Sequence, residues 1–195
     1  MKQSYFNTAA GVITDHIKQT ITQANFKEVE GAVNKIIETR ENGGKIFILG
    51  SGRSGLVSKA FAIRLSQFPE RTYFRGFFTS DISRKVEDND LVIIVSGSGR
   101  TASAVHAAKK AKEIGASVLA ITSKQESELI KFVDMSILLC GGARDECGGE
   151  QSSLSPLGTL FECTVMIFFD CIIAEIMKEL NVSEDELQHY QLDDL

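Results

Sequence analysis

Three hydroxyl side chains and two glycines fall within six residues at Ser96-Gly97-Ser98-Gly99-Arg100-Thr101. The stretch follows Leu91-Val92-Ile93-Ile94-Val95, an unbroken apolar and β-branched run that predicts a strand buried on both faces. It precedes Ala102 to Ile114, an Ala- and Lys-rich segment that predicts a helix. A strand, a small polar loop and a helix N-terminus form a phosphate-binding geometry. Glycines let the backbone come close, hydroxyls donate, and the free N–H groups of the first helical turn favour an anion. Ser and Thr at such a place also serve as ordinary helix caps. Three hydroxyls exceed what one cap needs, so phosphate binding is the reading carried forward.

A second loop has similar chemistry. Gly50-Ser51-Gly52-Arg53-Ser54-Gly55 follows the strand-like Lys45-Ile46-Phe47-Ile48-Leu49 and matches the G-x-G-x-x-G dinucleotide fingerprint. That fingerprint expects an acidic residue near the end of the next strand to hold a ribose hydroxyl. The corresponding stretch here reads Phe74-Arg75-Gly76, where Arg75 could meet the 2′-phosphate of NADP instead. One dinucleotide needs only one pyrophosphate cradle, however. Two hydroxyl-rich loops at one sheet edge suit a compact phosphorylated ligand better.

The elements that must carry these loops alternate along the chain. Apolar positions at helical spacing (Ile13, Ile17, Ile21, then Val29, Val33, Ile36, Ile37) predict two N-terminal helices over about residues 4–42, broken near Asn25-Phe26. After Gly43-Gly44, strands are predicted at 45–49, 72–75, 91–95, 117–121 and 134–139, within a sheet core spanning about 45–140. Helices are predicted from the second loop to about Phe68, over 102–114 and over 126–131. Strands alternating with helices imply a mostly parallel sheet covered on both faces. Residues 141–155 are polar and glycine-rich and predict a mobile loop. Pro156 then opens a helix to about Leu180 that is apolar nearly all round, so it is expected to be buried within the chain or against another subunit. A tail follows over 181–195.

At 195 residues, with 43% hydrophobic and 24% charged residues, the chain fits one globular domain. Its net charge of −5 argues against a nucleic-acid partner, which would need a basic face. Glu162, Asp170 and Glu175 interrupt the last helix and argue against a membrane span. Four cysteines without C-x-x-C spacing argue against a zinc site, and Cys163 and Cys171 are expected to be packed thiols. The N-terminus shows no apolar signal core, which predicts a cytoplasmic protein with reduced thiols. His16 is expected on a surface or partner-facing position, and His106 in a structural or pocket-lining one.

The chain resembles the SIS (sugar isomerase) family, and within it the 6-phospho-3-hexuloisomerases. The resemblance rests on Gly50-Ser51-Gly52-Arg53-Ser54-Gly55 with the helix after it, where the family reads G-A-G-R-S-G. It continues through Ser96-Gly97-Ser98-Gly99-Arg100-Thr101, where the family has S-G-S-G-E-T, and Pro156-Leu157-Gly158-Thr159-Leu160-Phe161-Glu162, the family's P-L-G-T-x-F-E. His189 is similar to the histidine of the family's H-A-N-L-E ending. Arg100 stands where the family has Glu, and residues 75–81 match its G-E-x-x-T-P segment poorly.

The resemblance implies a three-layer α/β/α flavodoxin-like fold with a five-stranded parallel sheet, a homotetramer and no cofactor or metal. It also implies interconversion of a 3-ketohexose 6-phosphate with fructose 6-phosphate. Ser51, Ser96, Ser98 and Thr101 match phosphate-binding positions, and Gly52, Arg53 and Ser54 are grouped with them. Glu162 matches a proposed base and His189 a proposed acid or ring-opening residue. The chemistry agrees, because moving a carbonyl between adjacent carbons needs a base, and a carboxylate among Phe161, Val165 and Met166 suits that task. A first-turn Glu can also simply stabilise its helix dipole. A sugar-phosphate sensor that binds without turnover is the alternative of a different class.

Overall fold

The computed structural model describes residues 4–78, 85–139, 154–155 and 158–187. Helices α1 (Tyr5–Thr22) and α2 (Phe26–Glu41) open the chain. They are separated at the expected place because Asn25 caps α2, its side-chain oxygen accepting from the Lys27 N–H at 3.1 Å. Then come β1 (Ile46–Gly50), α3 (Arg53–Ser66), β2 (Gly76–Phe78), β3 (Leu91–Val95), α4 (Ala102–Ile114), β4 (Ser117–Thr122), β5 (Met135–Leu138) and α5 (Thr159–Glu179).

The five strands are parallel, in the order β2-β1-β3-β4-β5. Parallel pairing requires crossovers, and these bury both faces of the sheet. Alternate residues therefore divide between two cores. Ile46, Ile48, Leu91, Ile93 and Val95 pack with α2, α3 and α5, while Phe47, Leu49, Val92 and Ile94 pack with α4. The result is the three-layer α/β/α, flavodoxin-like arrangement expected. On α4 the packing stripe is Ala104, Ala108 and Ala111, small residues at helical spacing that let the helix lie close to the sheet. Gly115, at φ 97°, ends that helix in the left-handed conformation.

Three local expectations need correction. The second strand is Gly76–Phe78, not 72–75. A 3-10 turn at Glu70–Thr72 precedes it, and Phe74 is fully buried edge-on against Phe68, with ring centroids 5.0 Å apart. Thr72 and Phe74 are thus buried without entering the sheet, while Tyr73 is exposed. The helix expected over 126–131 is a 3-10 turn at Leu129–Phe132. Cys171 is exposed and Cys163 half-buried, so neither is a fully packed thiol.

Helix α5 buries nine residues, among them Phe169, which stacks on Phe61 of α3 at 4.0 Å between centroids. Its other face is not fully covered. Met166 and Ile167 are exposed, as are Leu56 and Ile63 on α3. Among the described residues no helix is long and apolar enough to cross a membrane. The glycine-rich loop expected over 141–155, except its last two residues, lies outside the described residues. So do Pro156, Leu157 and His189.

Candidate active site

Strands β1 and β3 are neighbours, but the helices that follow them leave toward opposite faces, α3 to one core and α4 to the other. A crevice must open where the chain diverges, at the C-terminal edge of the sheet. Both hydroxyl-rich loops emerge there and meet, with Ser51 Oγ 2.9 Å from Ser103 Oγ. Gly50 has to be glycine, because a Cβ would lie 2.7 Å from the carbonyl carbon of Ser54. That closeness starts α3 directly above the strand and leaves Ser54 buried beneath its first turn. Gly52 takes φ 58° and ψ −130°, a conformation that L side chains rarely adopt.

The second loop is held from behind. The Gly97 carbonyl accepts from Ser123 Oγ at 2.7 Å and from the Ser123 N–H at 3.2 Å, and the Gly99 carbonyl accepts from the Leu129 N–H at 3.0 Å. These bonds tie the loop to the end of β4 and leave its hydroxyls lightly engaged. Ser96 Oγ donates to Thr101 Oγ1 at 3.4 Å, and Ser98 Oγ accepts from the Arg100 N–H at 3.3 Å. Thr101 occupies the N-cap position of α4 but makes no side-chain capping bond. The simple capping reading of these residues therefore fails.

The same is true of three helices together. The N-caps of α3 and α5 are Gly52 and Gly158, which have no capping side chain, whereas α1 and α2 are capped by Ser4 and Asn25. The three helices with uncapped N–H groups start side by side. Ser51 touches Ser103 at the start of α4, and Arg53 at the start of α3 donates to Thr159 Oγ1 at the start of α5, at 3.3 Å. Phe161 on α5 lies against the second loop, so that a Cβ on Gly97 would be 3.0 Å from its ring. Uncapped donors at the positive ends of three helices favour an anionic ligand.

Glu162 projects into this arrangement. Its side chain is 15% exposed, and its Oε2 is buried with no hydrogen-bond partner among the described residues. Arg53 Nε stands 3.6 Å from that oxygen. Burial pushes the Glu162 carboxyl above its ordinary range, and Arg53 only partly offsets the rise. Gly158, at φ 82°, keeps the space clear, since a Cβ there would lie 3.3 Å from Oε2. A desolvated carboxylate with an unused lone pair is equipped to take a proton from carbon.

The structure thus brings together Ser51, Gly52, Arg53, Ser54, Ser96, Ser98, Thr101 and Glu162. The Arg53 side chain is aimed at α5 and Glu162. Arg75 is not part of the group. It precedes β2 at the opposite edge of the sheet and donates to the Gly43 carbonyl at 3.2 Å, so it cannot meet a 2′-phosphate here. His106 is exposed on α4, away from the sheet. Sequence reasoning missed Ser103, Thr159 and Phe161. Ser103 was detectable as a hydroxyl in the first turn after the phosphate loop, but Thr159 and Phe161 depend on how α5 packs.

The SIS domain matches residues 40–169. The chain belongs to this family. It is 38% identical to the 3-hexulose-6-phosphate isomerase of Methanocaldococcus jannaschii over 88% of this chain and 87% of that one. It is 36% identical to the enzyme of the same name from Bacillus subtilis, over 90% of this chain and 91% of that one. Among solved structures it superposes at TM-score 0.76 and 32% identity on a Methanococcus jannaschii protein, covering 92% and 95% of the two chains. That structure is described as inferring a molecular function of 3-hexulose-6-phosphate isomerase.

Proposed function

We propose that this SIS protein is a ketose-phosphate isomerase interconverting 3-hexulose 6-phosphate and fructose 6-phosphate. The observation that carries the reading is the buried carboxylate oxygen of Glu162, without a hydrogen-bond partner among the described residues, beside three uncapped helix N-termini. The relatives named for this reaction support the choice of substrate.

The phosphate binds against Ser51, Ser96, Ser98, Thr101 and the N–H groups at the starts of α3 and α4, with Gly52 and Ser54 shaping the first loop. Glu162 takes the proton from the hydroxyl-bearing carbon next to the ketone, and the electron pair forms the enediol double bond. The hydroxyl proton passes to the former carbonyl oxygen, and Glu162 returns its proton to the former carbonyl carbon. The net change is an isomerisation that needs no external oxidant or reductant.

The reading includes an oligomer, for which the tetramer is our choice. Helix α5 begins at the site and runs for 21 residues, about 30 Å, to the opposite edge of the sheet. There Arg71 donates to the Asn181 carbonyl at 3.1 Å and to Glu186 at 2.6 Å. His189 lies outside the described residues, and in this reading it serves a neighbouring copy's site. The exposed Leu56, Ile63, Met166 and Ile167 offer an apolar face next to Arg53 and Glu162 for that neighbour. The free thiols of Cys163 and Cys171 suit a cytosolic setting.

The test is incubation with a panel of ketohexose and ketopentose phosphates, with products identified by NMR. Conversion of fructose 6-phosphate to the 3-ketose, with solvent deuterium entering at the carbon beside the carbonyl, is expected. Tight sugar-phosphate binding with neither conversion nor exchange would instead make the protein a sensor. For His189, mixed oligomers of Glu162→Gln and His189→Asn are expected to recover activity that neither variant shows alone.

A further inference from the structure

Arg53 touches both halves of the site. Its backbone begins α3 directly after the first phosphate loop, and its guanidinium crosses to the start of α5. The contacts it makes there are loose, 3.3 Å to Thr159 Oγ1 and 3.6 Å to Glu162 Oε2, and half of the side chain, 51%, is exposed. A guanidinium forms its best bonds in planar, bidentate pairs at about 2.7–2.9 Å, which phosphate oxygens accept readily. Its present contacts are therefore ones that a phosphate at the adjacent loop can outcompete.

We propose that Arg53 is a positioning residue shared between Glu162 and the substrate's phosphate, so that the phosphate, in binding, draws the cation off Glu162 and frees that carboxylate for proton transfer. The inference rests on the isomerase reading for its purpose, but not for its test. Among the described residues Arg53 on α3 is the only side chain whose charge shifts the Glu162 carboxyl, and α1 and α2, which also pack on α5, contribute no charge to it. The sign follows directly. Arg53 holds the Glu162 carboxyl down against the effect of burial, so its withdrawal leaves a more basic carboxylate. The base would then be strongest only when a phosphorylated substrate is in place.

The experiment titrates the Glu162 carboxylate in the full-length protein by carbon-13 NMR, with its signal assigned by loss in Glu162→Gln. The probe is sulfate, a tetrahedral dianion that does not itself titrate in the relevant range. In the wild type, saturating sulfate is expected to raise the Glu162 midpoint. In Arg53→Gln the midpoint should already be raised without sulfate and should move less when sulfate is added. Arg53→Lys, which keeps the charge and is the gentler change for folding, should restore the lower starting midpoint. A wild-type midpoint that does not move, whether or not sulfate raises the melting temperature, overturns the proposal. So does an equal move in Arg53→Gln, which would mean that the anion acts on Glu162 through its own field alone. Because the readout is a titration, it stands even if no sugar phosphate is turned over. Where turnover is present, the acid limb of kcat should lie above that of kcat/KM in the wild type, and the two should converge in Arg53→Gln.

Discussion

The two edges of the sheet treat buried polar groups in opposite ways. At the N-terminal edge Asp90 is 1% exposed and well partnered. It accepts from the Lys45 and Glu87 N–H groups, each at 2.7 Å, and pairs with the Lys45 ammonium at 3.4 Å. Asp134 accepts from the Val118 N–H at 2.8 Å and pairs with Lys112. These carboxylates close the bottoms of β1, β3 and β4. At the C-terminal edge the corresponding group is Glu162, whose buried Oε2 has no hydrogen-bond partner among the described residues and only the 3.6 Å contact with Arg53, among helix ends that no side chain caps. A buried polar group without a partner costs stability, so native proteins keep it where a ligand or a reaction uses it. One edge holds the fold together, and the other holds uncapped donors and a desolvated carboxylate.

Substitutions at the two edges should consequently fail in different ways. The largest effect is expected for Glu162→Gln, which keeps the shape of the side chain and removes the base. Turnover should fall by about 10²–10⁴-fold. The raised carboxyl means that the folded state favours the protonated form. Its contribution is therefore present at pH below the ordinary carboxylate range and is lost as pH rises through the raised value. The variant should accordingly melt at or above the wild-type temperature near neutral pH. Steady-state kinetics with thermal melts across pH checks both halves, and a variant that is both less stable and fully active would erase the distinction between the edges.

Asp90→Ala should produce the reverse pattern. It strands the Lys45 and Glu87 N–H groups and loosens Lys45, at a cost of about 2–4 kcal/mol by urea unfolding. Thermal stabilisation by the sugar phosphate should persist at temperatures where the variant remains folded. Loss of ligand binding with unchanged stability would contradict the division.

Gly99→Ala belongs to the functional edge but acts through the backbone. Gly99 sits at φ 59°, and a Cβ there would collide with Ser127 Oγ. The cost should be about 1–2 kcal/mol, together with a raised KM for the phosphorylated substrate. Adding Ser127→Gly should recover part of the stability, because it removes the collision but not the backbone strain.

The smallest expected effect concerns Glu186, which the Ser183 N–H and, after it, Arg71 hold at a pKa of about 2, against an ordinary 4.5. The stability this gives is present above pH 4.5 and is lost as pH falls through about 2. The difference in melting temperature between wild type and Glu186→Gln should shrink over that window. It should also shrink with added salt, because the pair lies at the surface.

Some of this arrangement is legible in the chain itself. The β3 run Leu91–Val95 and the α4 segment Ala102–Ile114 stand in the structure residue for residue, because a buried parallel strand and an alanine-striped helix carry strong periodic signals. Strand β2 lies later than the 72–75 pattern predicts because Phe74 is buried for a different reason, its packing against Phe68. A one-dimensional pattern reports burial and cannot say what does the burying. The two loops are legible because glycine and serine between a strand and a helix mark a tight turn with free hydroxyls, and the structure brings them together at one edge of the sheet. Arg53 was read as a ligand for the phosphate, since nothing along the chain places it beside a residue more than a hundred positions away.

The sequence by itself determined the alternation of strands and helices, the two loops that start α3 and α4, and Glu162 as a carboxylate in apolar surroundings. These depend on residue type and on spacing within a few turns, which local backbone chemistry fixes. Only the tertiary structure decided that the loops meet through Ser51 and Ser103, that α5 starts over Gly97, and that Arg53 faces Glu162. It also decided that the C-terminal segment is held by Arg71 at the far edge of the sheet. Each of these is a contact between elements far apart in the chain, set by strand order and by the direction in which each crossover leaves the sheet. No local preference of the residues involved encodes that order.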